Sequence, residues 1–123
     1  MHKILLAEDD NDMRRFLVKA LENAGFQVSS HDNGMSAYQR LREEPFEMLL
    51  TDIVMPEMHG PVLAERLRAR RAELPVLFVS GYTEAMPSTA TNDGRTAFLP
   101  KPFSADALIA AVRGALAAPS RPR

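Results

Sequence analysis

Leu50-Thr51-Asp52-Ile53-Val54-Met55-Pro56 is the segment that decides the fold. An apolar run, Met48 to Leu50, leads into the single carboxylate Asp52, and the turn residues Pro56 and Gly60 follow. Short apolar runs bounded by turn residues are typical of strands buried on both faces of a parallel sheet. Because ligands bind such sheets in the crevice at the carboxyl ends of the strands, we expect Asp52 to lie at a reactive position.

The composition limits both the size and the chemistry of the protein. A chain of 123 residues is long enough for one domain with a single core. The net charge is −1 without a basic footprint, so we expect no nucleic-acid partner. The absence of cysteine excludes disulfides, thiolate chemistry and Cys-ligated zinc. The first apolar run, Ile4 to Ala7, is too short for a signal peptide or a membrane span, which predicts a cytoplasmic protein without membrane contact.

Strand-like and helix-like segments alternate along the chain. The predicted strands are Lys3–Ala7, Phe26–Ser29, Phe46–Thr51, Pro75–Val79 and Ala97–Leu99. Apolar residues at helical spacing predict helices between them and after the last strand, with starts near Asp10 or Asn11, Asn33, Pro61 and Ser104. Gly25 is expected to end the first helix in a left-handed conformation.

Two parts of the chain give a weaker pattern. Tyr82 to Thr96 has little helical periodicity, so we expect the fourth helix to be short or irregular. Residues 1–117 are predicted to form one domain, and residues 118–123, which include Pro119 and Pro122, a disordered tail.

The alternation predicts an α/β fold, a doubly wound five-stranded parallel sheet of flavodoxin-like order 2-1-3-4-5. In that order the first and third strands are neighbours. Glu8, Asp9 and Asp52 are therefore expected to gather at one edge of the crevice.

Such a cluster of carboxylates has a recognisable chemistry. The charges repel one another unless a cation lies among them, and hard oxygen ligands without His or Cys fit Mg²⁺. A carboxylate beside a metal is also a competent nucleophile toward a phosphoryl group. Lys101 and Ser80, each at the end of another strand, offer a positive charge and a hydroxyl to phosphoryl oxygens. The set is suited to forming an aspartyl phosphate on Asp52.

Each of these residues also has a simpler interpretation by itself. The Glu8-Asp9-Asp10 run is compatible with a solvated turn or a helix cap, and Asp52 with a cap. Lys101 taken alone is compatible with a surface lysine, and Ser80 with a turn residue. The interpretation as a site depends on all four following separate apolar strands in the required order.

Three segments, Ile4–Asp10, Leu50–Pro56 and Leu99–Phe103, together resemble the signature segments of the receiver domains of bacterial two-component response regulators. The resemblance covers about Lys3 to Leu116. It implies a signalling receiver that takes a phosphoryl group from a phosphohistidine on a histidine kinase or histidine phosphotransferase, with Mg²⁺ as cofactor.

The resemblance also implies a role for each residue by its position. Asp52 is the implied phosphoacceptor, and Ser80 and Lys101 hold the phosphoryl oxygens. The implied metal ligands are Asp9, Asp52, the backbone carbonyl of Val54 and, through a water, Glu8. Ser80 and Phe98 form the implied switch, and the Lys101–Pro102 bond is expected to be cis.

Two halves of the chain are similar to different groups of receivers. Ala7 to Pro56 resembles single-domain regulators of alphaproteobacterial cell-cycle control, which act by protein contacts and govern proteolysis. Leu77 to Pro102 is more similar to receivers of hybrid histidine kinases. The start at Met1 and the Pro-Arg tail favour a free-standing protein over a receiver cut from a hybrid kinase. We expect a monomer or weak dimer with an unknown downstream protein, and no enzymatic activity beyond its own phosphoryl transfer and slow dephosphorylation.

Two other classes share part of the pattern. A Mg²⁺-dependent aspartyl-phosphate phosphatase of the haloacid-dehalogenase type requires a second acid two residues after the nucleophile, where Val54 stands. A flavodoxin-like cofactor carrier requires a Gly-rich phosphate loop after the first strand and aromatic residues around the flavin, which this sequence lacks. The intact acid set argues against an unphosphorylatable pseudo-receiver.

Replacing Val54 with Asn is expected to speed loss of the phosphoryl group. By the family resemblance Val54 and Tyr82 flank the aspartyl phosphate, and neither orients an attacking water as an amide does. We expect Val54→Asn to raise the hydrolysis rate by roughly tenfold, the effect of about 1.4 kcal/mol in the barrier. The decay of the phosphorylated mass measures it, with Val54→Ala as the control for side-chain size. An unchanged rate in Val54→Asn would show that the side chain at position 54 does not limit hydrolysis.

Overall fold

The computed structural model describes residues 2–53, 55, 58–70, 73–80 and 96–117, without the side chains of Pro61 and Ser80. The elements in chain order are β1 (Lys3–Ala7), α1 (Asn11–Asn23), β2 (Gln27–His31), α2 (Gly34–Glu43), β3 (Met48–Asp52), α3 (Gly60–Arg70), β4 (Val76–Ser80), β5 (Thr96–Pro100) and α4 (Ala105–Ala117). The predicted irregular helix after β4 and the predicted tail at 118–123 lie outside the described residues, and the boundary at 117 stays a prediction.

The five strands form one parallel sheet in the order β2-β1-β3-β4-β5, which confirms the predicted topology. Helices cover both faces of this sheet. Ala37 of α2 and Leu63 of α3 pack in the core on one face, and Leu17 of α1 and Leu108 of α4 pack in the core on the other. The fold therefore has three layers with the sheet in the middle.

The central strands consist mainly of apolar residues, which suits a sheet covered on both faces. Within β1, Leu5 contacts the core beneath α2 and α3, while Ile4 and Leu6 contact the core beneath α1 and α4. All three side chains have no exposed surface. Each such burial contributes about 1.5–3 kcal/mol to folding, which is enough to fix which residues face each layer.

Local signals set the ends of the helices. Asp10 caps α1 by accepting a hydrogen bond from the backbone N–H of Met13 at 3.0 Å, and Ser104 caps α4 by accepting one from Ala107 at 3.1 Å. Gly25 follows α1 with φ of 96°, the left-handed conformation expected from the sequence. The Lys101–Pro102 peptide bond is cis, as the resemblance implied.

Helix α3 begins at Gly60, one residue before the predicted start at Pro61. The backbone N–H of Leu63 donates to the carbonyl of His59 at 3.0 Å, which makes Gly60 the first helical residue. His59 is exposed and precedes the helix, and its Nδ1 accepts a hydrogen bond from the backbone N–H of Met55 at 3.2 Å.

The start of α3 approaches the end of β3 so closely that a side chain does not fit between them. The N–H of Gly60 donates to the carbonyl of Ile53 at 2.9 Å. A Cβ atom on Gly60 would lie 2.1 Å from the backbone oxygen of Asp52. Gly34 is similarly close, since a Cβ there would lie 2.3 Å from the carbonyl oxygen of Met58. Two backbone contacts that require glycine thus hold the chain after β3.

Adding one methyl group at Gly60 is expected to destabilise the protein, whereas adding it at Gly114 is not. In Gly60→Ala the new Cβ must push the backbone of Asp52 away, so we expect a loss of about 1–3 kcal/mol in the free energy of unfolding. In Gly114→Ala the Cβ meets nothing within 4 Å, and an alanine in α4 should stabilise by about 0.5–1 kcal/mol. Urea unfolding measures both, and equal stability of Gly60→Ala and the parent protein would contradict the close approach.

Candidate functional site

The register of β1 and β3 brings the acidic residues to one edge of the sheet. Ala7, the last residue of β1, lies opposite Thr51 of β3, so the carboxylates that follow each of them are neighbours. One carboxylate oxygen from each of Glu8, Asp9 and Asp52 lies within 4.8 Å of the others. Glu8 is buried and Asp9 is exposed, so the cluster extends from the interior of the protein to solvent.

Lys101 completes this cluster with a positive charge. It follows β5 directly, and its Nζ lies 3.2 Å from Oε1 of Glu8 and 3.4 Å from Oδ2 of Asp52. Burial lowers the pKa of Lys101, but the two carboxylates raise it more, so its pKa is above the ordinary value. The lysine therefore remains protonated at neutral pH and bridges the two acids.

Glu8 is the acid whose titration the fold changes most. Burial raises its pKa from 4.5 to about 7, and the negative charge of Asp52 adds to that rise. A hydrogen bond from the backbone N–H of Asp10 to Oε2, at 3.1 Å, and the ammonium of Lys101 act in the opposite direction. Because opposing effects already act on the pKa of Glu8, an additional positive charge nearby would lower that pKa and favour the ionised carboxylate.

Backbone groups fix the direction of Asp52. Its Oδ1 accepts a hydrogen bond from the N–H of Ile53 at 2.8 Å, while Oδ2 faces Lys101. The hydroxyl of Thr51 donates to the carbonyl of Asp52 at 2.9 Å. With 13% of its side chain exposed, Asp52 is held by the protein and is still reachable from solvent.

The donor set fits a hard divalent cation. Three carboxylates with an oxygen from each within 4.8 Å suit Mg²⁺, which takes one or two carboxylates and keeps several waters. Since these donors are all oxygens, the softer transition metals that prefer His or Cys fit less well.

Phe98, Ser80 and Val54 are the other residues predicted at the site. Phe98 lies on β5 opposite Phe78 and is partly buried against the core beneath α2 and α3. The backbone of Ser80 ends β4 opposite Pro100, but its side chain lies outside the described part of the chain, as does Val54.

Arg14 is a supporting residue that the sequence patterns did not indicate. Its guanidinium donates to the backbone carbonyl of Glu8 at 2.9 Å and to Oδ1 of Asn11 at 2.5 Å. These bonds tie the first turn of α1 to the acidic turn after β1. The sequence could have indicated Arg14 because side chains in a helix point back toward its N-terminus. A residue in the first turn of α1 is therefore directed at the turn before the helix.

Comparison with known proteins identifies the family of this chain. The family model for the response regulator receiver domain matches residues 4–113. The response regulator receiver protein CpdR of Brucella abortus is 56% identical over 104 residues, which span 84% of this chain and 87% of CpdR. The sensor kinase CckA of Brucella abortus is 36% identical over 113 residues, which are 89% of this chain and 12% of the kinase.

Solved structures give the same result. The receiver domain of the hybrid histidine kinase CckA superposes with a TM-score of 0.78 at 28% identity, covering 93% of this chain and 98% of that domain. A doubly wound parallel sheet with acids and a lysine at its carboxyl edge defines a phosphorelay signalling receiver. The chain belongs to the response regulator receiver domain family.

The family match bears on the class of protein, and the helix lengths bear on whether a described helix could cross a membrane. Receiver domains of this family accept phosphoryl groups from histidine kinases, and the family match favours a receiver over the phosphatase and flavodoxin-like alternatives. Within the described residues, no helix has the length and apolar character needed to cross a membrane.

Without divalent cations, the stability of the protein is expected to fall between pH 5 and pH 7. The pKa of Glu8 is about 7 in the folded state against 4.5 ordinarily, so the folded protein binds more protons in this window and loses stability as the pH rises. The loss is at most about 3 kcal/mol at 1.36 kcal/mol per pKa unit. Urea unfolding in EDTA at each pH measures it.

Glu8→Gln is the matched control for this loss, since it keeps the size of the side chain and removes the titration. The difference between the two proteins isolates Glu8, because His31, whose pKa is lowered by burial and by Arg40, is present in both. Parallel pH profiles in the two proteins would show that Glu8 is not the group responsible.

Proposed function

We propose that Asp52 accepts the phosphoryl group from a phosphohistidine on a histidine kinase or histidine phosphotransferase. The contact that carries this proposal is the bridge from Lys101 to Glu8 and Asp52, beside the third carboxylate of Asp9. Asp52 has one oxygen engaged by a backbone N–H and the other facing an ammonium, an arrangement that suits a nucleophile whose product carries more negative charge.

The transfer forms a bond from a carboxylate oxygen of Asp52 to phosphorus and breaks the phosphorus–nitrogen bond to the donor histidine. Lys101 is already 3.4 Å from Oδ2 of Asp52, so its ammonium has a short way to move to a phosphoryl oxygen. The hydroxyl of Ser80 is proposed to donate to another phosphoryl oxygen. Such a reaction requires mainly positioning and charge stabilisation from the protein.

Asp9, Asp52 and the backbone carbonyl of Val54 are the proposed ligands of Mg²⁺, with Glu8 acting through a water. When bound, the ion supplies positive charge that offsets the carboxylates and the phosphoryl oxygens. The protein's own contribution is the fixed direction of Asp52 and the hydrogen bond from the N–H of Asp10 that holds Glu8.

The proposed switch couples Ser80 to Phe98. Movement of Ser80 toward the phosphoryl group leaves space behind it, and Phe98 rotates inward to fill that space. Support for this role is that Phe98 is only partly buried and lies on the strand next to the one that ends at Ser80. An aromatic ring in this state gains apolar burial when it turns inward.

We propose that the phosphorylated protein acts through protein contacts in the cytoplasm, in cell-cycle control or the proteolysis of cell-cycle factors. The support is the resemblance of Ala7 to Pro56 to single-domain cell-cycle regulators and the 56% identity to CpdR. The downstream protein is proposed to distinguish the two states by the surface that Phe98 changes.

Phosphorylation by acetyl phosphate tests the acceptor. We expect the native protein to gain the mass of one phosphoryl group in the presence of Mg²⁺ and to gain little in EDTA. Asp52→Ala should gain none, while Asp32→Ala, which removes an exposed aspartate outside the cluster, should behave as the native protein does. Intact-mass spectrometry over time measures the gain.

A phosphohistidine phosphotransferase protein serves as a second donor in the same assay. Transfer from it that Asp52→Ala abolishes would support the proposal even where acetyl phosphate fails. No gain from either donor, or an equal gain in Asp52→Ala, would overturn the assignment of Asp52.

A further inference from the structure

Helices α2 and α3 lie side by side on one face of the sheet, and their outward surface carries a group of arginines. We refer to it as the arginine face. Its residues are Tyr38, Gln39, Arg42 and Glu43 of α2 and Arg66 and Arg70 of α3. Because α3 starts beside Asp52 and runs back along the sheet, Arg70 lies toward the edge opposite the phosphoacceptor site.

Tyr38 organises two of these arginines. Its ring is partly buried against the core, and the central guanidinium carbons of Arg42 and Arg66 each lie 5.9 Å from the centre of the ring. Arg42 comes from the same helix as Tyr38 and Arg66 from the neighbouring one. Cation–π attraction to one ring favours positions of both guanidinium groups beside Tyr38, so two exposed positive charges lie close together on one surface.

A groove lies beside this pair. It has a volume of about 430 Å³ and is lined by Gln39, Arg42, Glu43 and Arg70. Glu43 is already in an ion pair with Arg40 at 3.4 Å. The acid in the groove therefore has its own partner and does not balance the arginines that line it.

Several other cations of the protein are paired with carboxylates. Lys3, Arg15 and Arg40 each form an ion pair with a carboxylate. Within the described parts of the chain, none of the ion pairs involves Arg42, Arg66 or Arg70. Cations at helix C-terminal ends stabilise the helix dipole, which accounts for Arg42 and Arg70 but not for Arg66, which lies beside the Tyr38 ring.

We propose that the arginine face binds an acidic, extended segment of a partner protein. Arg66 and Arg70 are one helical turn apart, about 6 Å along the axis. Alternate side chains of an extended peptide are about 6.6 Å apart, so carboxylates at every second position match the two arginines. The planar guanidinium also pairs with carboxylates through two parallel hydrogen bonds.

A nucleic acid fits this surface less well than an acidic peptide does. The whole chain has a net charge of −1, and nucleic-acid binding requires a larger basic footprint. The surface is outside the phosphoacceptor site, so a partner bound there leaves Asp52 accessible to a phosphoryl donor.

The test uses a fluorescent eight-residue peptide of alternating Glu and Ala, with fluorescence anisotropy at low salt, where surface charges are screened least. We expect the native protein to bind this peptide and to bind an alternating Lys and Ala peptide weakly or not at all. Arg42→Glu combined with Arg66→Glu should weaken binding of the acidic peptide by roughly tenfold or more, since two favourable charge contacts become repulsive.

The matched control is Lys19→Glu combined with Arg113→Glu, which makes the same change in net charge at exposed positions of α1 and α4 on the other side of the sheet. We expect it to retain affinity within roughly a factor of two. Asp52→Ala should bind the acidic peptide as the native protein does, so the result is independent of the proposed phosphoacceptor function.

Three outcomes would overturn the proposal. The first is that the native protein does not bind the acidic peptide. The second is that the two double variants lose affinity for it equally. The third is that the native protein binds a single-stranded DNA of the same charge as tightly as it binds the peptide. The second would show an effect of net charge alone, and the third a general polyanion surface. Urea unfolding of both double variants confirms that each is folded before affinity is compared.

Discussion

Electrostatic repulsion at the carboxyl edge of the sheet is the constraint on which the site depends. Glu8, Asp9 and Asp52 are brought within a few ångströms by the pairing of β1 with β3, and the ammonium of Lys101 offsets only part of their charge. Burial raises the pKa of the Glu8 carboxyl, and the charge of Asp52 adds to that rise. The core that covers both faces of the sheet stabilises this unfavourable arrangement, because apolar burial along β1 and β3 contributes far more than the acids cost. The resulting charge imbalance makes the edge suited to a hard divalent cation.

The acid cluster and the topology were accessible from the sequence because each rests on short-range patterns. The apolar runs before Glu8, Asp52 and Lys101 predict strands, and the alternation with helices allows few arrangements other than a parallel sheet. Once the order of the strands is given, the three residues must lie at the same edge. The family resemblance added the roles of Val54, Ser80 and Phe98, which periodicity alone does not supply. Those roles remain proposals, since Val54 and the side chain of Ser80 lie outside the described residues.

Other features were not accessible because they depend on distances between elements that are far apart in the chain. The need for glycine at position 60 arises from the backbone of Asp52, and nothing in the local pattern measures that approach. The cation–π contact of Arg66 with Tyr38 requires the packing of α3 against α2, whereas the sequence shows only arginines with helical spacing that are expected to be solvated. Patterns thus predict which face a residue occupies, and tertiary packing decides which neighbours it finds there.

The ion pair between Lys101 and Glu8 joins residues 93 positions apart in the chain. During synthesis on the ribosome the acidic turn and Asp52 emerge long before the lysine does. A nascent chain that ends before β5 therefore exposes three carboxylates without the ammonium that partly balances them. The complete pocket forms only after nearly all of the sheet has been released from the exit tunnel. The charge balance of this edge is therefore a property of the finished sheet.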